Sequence, residues 1–119
     1  MEMGPLSFAA GSHGFEHGRD LPISDESERV LQEALAAQAF EEVSSPYALG
    51  EVSYHLGWTF HHAPANTSTV PRRVMTIIYV DAAMEIAEPV NDAQRNDLSW
   101  IPGARVGDVI SSPLNPVLY

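Results

Sequence analysis

The spacing of apolar residues changes several times along this 119-residue chain, and each change predicts an element. Residues 6–10, Leu-Ser-Phe-Ala-Ala, alternate apolar and small side chains and run into Gly11-Ser12-His13-Gly14. That pattern predicts a short strand ending in a turn. Residues 14–23 have no period and predict a loop carrying His17, Arg19 and Asp20. From Ser24 the period becomes helical, with Val30, Leu31, Ala34, Leu35 and Ala39 on one stripe. Ser24 or Asp25 is placed to cap this helix, and Asp25 stands three residues before Glu28 as in a capping box. Asp25, Glu26 and Glu28 then lie in the first turn, where the macrodipole favours negative charge. The acidic cluster is therefore read as a capped helix N-terminus and not as a metal site, and the helix is expected to end near Ala39.

Residues 47–62 predict strand interrupted at Gly50 and Gly57, with Val52, Tyr54, Trp58 and Phe60 on one parity and Ser53, His55, Thr59 and His61 on the other. Its polar face either lines the inside of a barrel or meets solvent on an ordinary sheet. After a loop punctuated by Pro64, Asn66 and Pro71, residues 72–80 form the strongest predicted strand, rich in β-branched and aromatic side chains. Asn91 is placed to cap a short helix over residues 91–100, Pro102-Gly103 turns the chain, and residues 113–119 are expected to be extended. The elements describe a mainly β chain with one or two helices, of the α+β class.

Composition narrows the function. Sixteen acidic residues against six basic ones give a formal charge of −10, which disfavours nucleic acid and anionic membrane surfaces as partners. No apolar run approaches the roughly 18 residues of a membrane span, and the first residues lack a signal peptide's basic and apolar regions. With no cysteine there is no disulfide, thiolate ligand or thiol nucleophile, and the expected location is cytoplasmic.

Three features carry candidate chemistry. Imidazoles are common metal ligands, and His55, His61 and His62 lie close together in sequence. On one straight strand, however, His55 and His61 would stand about 20 Å apart, so they can meet only if the chain turns near Gly57. Joined by Glu51, the three histidines would make an improvised metal site. Pro71-Arg72-Arg73 opens an apolar strand, where an inward Arg would grip a carboxylate with help from Thr76, or both arginines would point at water. Gly11-Ser12-His13 is either a site turn or a plain turn with a surface histidine.

The residues Gly50, His61 and Asn66 are spaced like the second motif of cupin-type double-stranded β-helix domains. The longer stretch from Gly50 through Tyr54, His55, Gly57-Trp58-Thr59-Phe60-His61 and Asn66 to Pro71-Arg72-Arg73 and Thr76-Ile77-Ile78-Tyr79 resembles the C-terminal half of the phytanoyl-CoA dioxygenase family. Met3-Gly4-Pro5-Leu6-Ser7-Phe8 followed by Gly11-Ser12-His13 looks like the same family's strand and turn, so the resemblance extends over nearly the whole chain.

This resemblance implies a single domain over residues 1–119, part of a jelly-roll-like double-stranded β-helix. It also implies Fe(II)- and 2-oxoglutarate-dependent hydroxylation of a small organic substrate. His61 matches the late iron ligand, and Arg72, with Thr76, matches the grip on the far carboxylate of 2-oxoglutarate. His62 and Arg73 share the same spacing of eleven, but Asn66 and Pro71 favour the first register. His55 and Trp58 would line the substrate pocket or serve the turn. Two departures stand out: His62 occupies a usually small position, and no His-x-Asp or His-x-Glu occurs anywhere. The chain thus reads as a fragment lacking two of three iron ligands, inactive alone. The rival reading is a non-catalytic binding or oligomerisation module, pairing with a second copy or with a missing N-terminal half.

Overall fold

A computed structural model describes residues 2–22 and 24–118; Ile23 of the predicted loop and Tyr119 of the predicted tail lie outside the described residues. The chain divides into two compact units, Met1–Thr76 and Ile77–Tyr119. Both helices and the three-stranded antiparallel sheet make this a small mixed α/β chain.

In the first unit, strand β1 (Ser7–Ala9) lies between β2 (Glu42–Ser44) and β3 (His61–His62). The register pairs Phe8 with Val43 and His61, and Ser7 with Ser44 and His62. Directly opposed residues share a face, so Phe8, Val43 and His61 point one way and Ser7, Ser44 and His62 the other. Between β1 and β2 runs helix α1 (Asp25–Gln38). Ser24 is the residue that caps it, its Oγ accepting from Ser27 N–H at 3.1 Å, and Ala39 ends it in the left-handed region at φ 52°. Val30, Leu31, Ala34 and Leu35 of the predicted stripe are half-buried among exposed neighbours. Phe15 sets its ring edge-on to Phe40 and Phe60, with centroids 5.8 and 6.1 Å away, joining the loop, the end of α1 and the approach to β3.

The second unit is a set of turns around Ile86, the one large apolar side chain buried among the described residues. Ile86 N–H donates to Asp108 O at 2.9 Å and Gly107 N–H to Ile86 O at 2.8 Å, while Gly107 adopts the φ of 87° that a glycine tolerates. Helix α2 (Asp92–Asp97) starts at Asn91 as expected, Asn91 Oδ1 accepting from Gln94 N–H at 2.9 Å, and a 3₁₀ turn continues it over Leu98–Trp100. The tail is not extended throughout: Ser112 and Asn115 bridge across a turn at Pro113 and Leu114.

The expected long strands are not present. Of residues 47–62 only His61–His62 joins the sheet, and residues 72–80 pair with nothing among the described residues. A strand exists by its ladder, and residues 72–80 carry apolar side chains on both parities, a pattern suited to burial on two faces. Without neighbours that segment stays open, leaving Met75 85% and Ile78 83% exposed. Sequence propensity alone could not supply the partner. β2 was missed for the converse reason: Glu42-Val43-Ser44 is too short to show a period, and pairing with β1 creates it.

The chain exposes 9721 Å² of surface. Two separate folded units of these lengths would expose about 7,600 Å² together by the usual mass scaling. Exposed apolar side chains in the unpaired segments, including Tyr54, Leu56, Met75 and Ile78, contribute to this excess.

Candidate functional site

The sheet and two loops gather candidate residues of the first unit around His61. Ser12, in a 3₁₀ turn over Ser12–Gly14, is fully buried, and its Oγ accepts from Phe60 N–H at 2.9 Å. Ala9 N–H donates to Phe60 O at 2.9 Å, so both backbone groups of the residue before His61 are held by the first strand and its turn. The Gly-Ser-His turn is therefore a structural anchor for β3.

Approaching His61, the chain turns at Gly57, with Thr59 N–H donating to Leu56 O at 2.9 Å. This is the turn that His55 and His61 require in order to meet, and their rings stand 4.9 Å apart between centroids. Phe8 completes the group, with its ring centroid 5.0 Å from His55 and 5.9 Å from His61. His61 Nδ1 lies 2.9 Å from Thr59 O. A carbonyl only accepts, so Nδ1 is the donor; in the neutral ring this leaves the lone pair on Nε2, the tautomer that a metal-binding imidazole uses.

His62 faces the other side of the sheet and places Nε2 3.7 Å from a Glu42 carboxylate oxygen. Glu51 is engaged locally, accepting from Ala48 N–H at 2.6 Å. The improvised set of His55, His61, His62 and Glu51 therefore does not converge, and among the described residues no group of three metal-binding side chains forms.

Trp58 is exposed, and the Arg19 guanidinium carbon lies 4.5 Å over its ring. Arg19 was not singled out from sequence, because it sits in an aperiodic loop far from Trp58 along the chain. Gly18, Arg19, Gly57, Trp58, Thr59 and His61 line a recess of about 230 Å³. A wider groove of about 860 Å³ separates α1 from the sheet, bordered by Leu31, Leu35, Phe8 and His61.

Arg72 and Thr76 do not line that recess. Arg72 Nη1 donates to the carbonyl oxygens of Met3 at 3.0 Å, Pro64 at 3.2 Å and Gly4. Gly4 is buried at φ 60°, and a Cβ there would meet Pro64 O at 2.1 Å and Arg72 Nη1 at 2.9 Å. Thr76 is exposed in the unpaired segment.

The model of the phytanoyl-CoA dioxygenase family matches residues 1–74. The chain belongs to the phytanoyl-CoA dioxygenase family. The match ends near the boundary of the first unit, so it is shorter than the near-complete resemblance expected and does not reach Thr76 or Tyr79. No curated protein and no solved structure matches the chain. No helix among the described residues is long and apolar enough to cross a membrane.

Proposed function

We propose that this chain is the C-terminal part of an Fe(II)- and 2-oxoglutarate-dependent dioxygenase that hydroxylates a small organic substrate. The family match over residues 1–74 carries this reading. In it His61 is the late iron ligand, Arg72 and Thr76 hold the far carboxylate of 2-oxoglutarate, and His55 and Trp58 border the substrate. The tautomer imposed on His61 by Thr59 O supports a ligand role.

An iron of this class takes two imidazoles and a carboxylate with open positions. Although His55 and His61 lie side by side, the described residues form no converging group of three metal-binding side chains, so alone they do not fit the ion. No step of the reaction is therefore assigned to this chain by itself. The two other ligands would come from polypeptide outside it, whose strands would also pair with the open segments and complete a double-stranded β-helix. The surface excess supports that part of the reading, being about 2,000 Å² against the roughly 800 Å² per partner of a standard interface.

The same excess favours a second reading, a non-catalytic module that buries these segments against another copy of itself. One experiment separates the two. The chain is expressed alone and with the in-frame sequence upstream of Met1, and iron-dependent succinate release from 2-oxoglutarate is measured. The chain alone is expected to release none. An extended chain carrying His-x-Asp is expected to release succinate, to lose this in His61→Ala and to keep it in His62→Ala. Release by the short chain, or an inert extended chain carrying His-x-Asp, overturns the proposal.

A further inference from the structure

Arg19 is held by uncharged partners alone. Its Nε donates to Phe15 O at 3.2 Å, its Nη2 donates to His13 O at 2.7 Å, and its guanidinium lies over Trp58. Among the described residues it makes no ion pair, although acidic side chains outnumber basic ones sixteen to six. Two carbonyls and an aromatic face fix the guanidinium before any ligand arrives, so little rotamer freedom remains to be lost on binding. Nη1 has no hydrogen-bond partner among the described residues, which leaves donors and a full positive charge available.

This cation lines the recess of about 230 Å³ that also touches His61. At about 30 Å³ per water-sized volume, that space holds roughly eight such volumes, the scale of a small organic acid. We propose that the recess is a carboxylate-binding site, with Arg19 receiving the anion and the Trp58 ring keeping the guanidinium in place. The carboxylate belongs either to an acidic substrate or to 2-oxoglutarate, in which second case Arg19 takes the place given above to Arg72; the chemistry recognised is the same. The carboxylate site rests on Arg19 and Trp58. Only its relevance to turnover, through His61, rests on the dioxygenase reading.

The test uses the metal-free chain, so its failure is distinct from failure of the iron assignment. Trp100→Phe leaves Trp58 as the single tryptophan. Its fluorescence and indole N–H resonance are followed during separate titrations with 2-oxoglutarate and with benzoate. A saturable change with at least one acid is expected, weakened about ten-fold or more in Arg19→Gln, as loss of a charge-assisted pair implies, and unaltered in the control Arg29→Gln. Saturation by 2-oxoglutarate alone assigns the recess to the keto acid, and saturation by benzoate assigns it to a substrate acid. The Arg19 Nε–H resonance of the parent chain reports the same event without depending on a variant's folding. No binding of either acid, an Arg19 resonance that does not move with Trp58, equal affinity in Arg19→Gln, or loss confined to Arg72→Gln overturns the inference.

Discussion

The Ser12 hydroxyl accepts the Phe60 N–H at 2.9 Å, joining residues 48 positions apart. It fastens the turn after β1 to the residue that leads into His61. Ser12→Ala would leave that amide without its partner in a partly buried place, at a cost of about 1–3 kcal/mol. Urea denaturation is expected to show the unfolding free energy falling by that amount and the midpoint falling with it, with faster hydrogen exchange at Phe60. An unchanged midpoint would mean that water replaces the hydroxyl without loss.

Gly4 and Arg72 form a second long-range clasp, in which the guanidinium holds carbonyls from Met3, Gly4 and Pro64. Gly4→Ala puts a methyl group into Pro64 O and strains a left-handed backbone, and is expected to destabilise by at least about 1 kcal/mol. Arg72→Gln should also lower the thermal midpoint. Its stability must therefore be measured beside any activity, since loss of turnover alone would not distinguish a lost cofactor grip from a lost clasp. A fully stable Arg72→Gln chain would show that the clasp carries no weight.

At the start of α1, Ser24→Ala is expected to cost about 1 kcal/mol, because Ser27 N–H loses its acceptor. Asp25→Ala removes only a favourable charge near the dipole and should cost a few tenths of that. Equal losses in paired denaturation curves would refute the assignment of Ser24 as the cap.

On the exposed face of α1, Arg29 donates to Glu26 and Glu33, at 2.6 Å to each. The bonds from Arg29 hold the Glu26 carboxyl below its ordinary value, and the same pairings raise Arg29. A depressed carboxylate contributes stability that is present above its unfolded value and lost as pH falls through its folded one. The pair's contribution should therefore fade on the acid side of about 4.5. Carbon-detected NMR titration is expected to place Glu26 below a free glutamate and to return it to the ordinary value in Arg29→Ala. High salt should weaken the effect, since both groups face water.

Local sequence was sufficient where the deciding interactions span a few residues. Helix α1 has its stripe, acidic first turn and Ser24 within one segment, and Asn91 caps α2 through a residue three positions away. The turn at Gly57 that brings His55 to His61 was also legible, because the two rings share a parity and only a reversal can join them. The tertiary structure decided everything that needs a distant partner. A strand lacks stability without a neighbour, so residues 72–80 stay open despite the strongest β-propensity in the chain, while the unremarkable Glu42–Ser44 becomes a strand by lying beside β1. Similarly, Arg19 acquires its place over Trp58 only when two loops meet, and Ser12 becomes the anchor of β3 only when the sheet forms. Periodicity records which face a residue prefers; which surface arrives to cover that face is set by long-range packing.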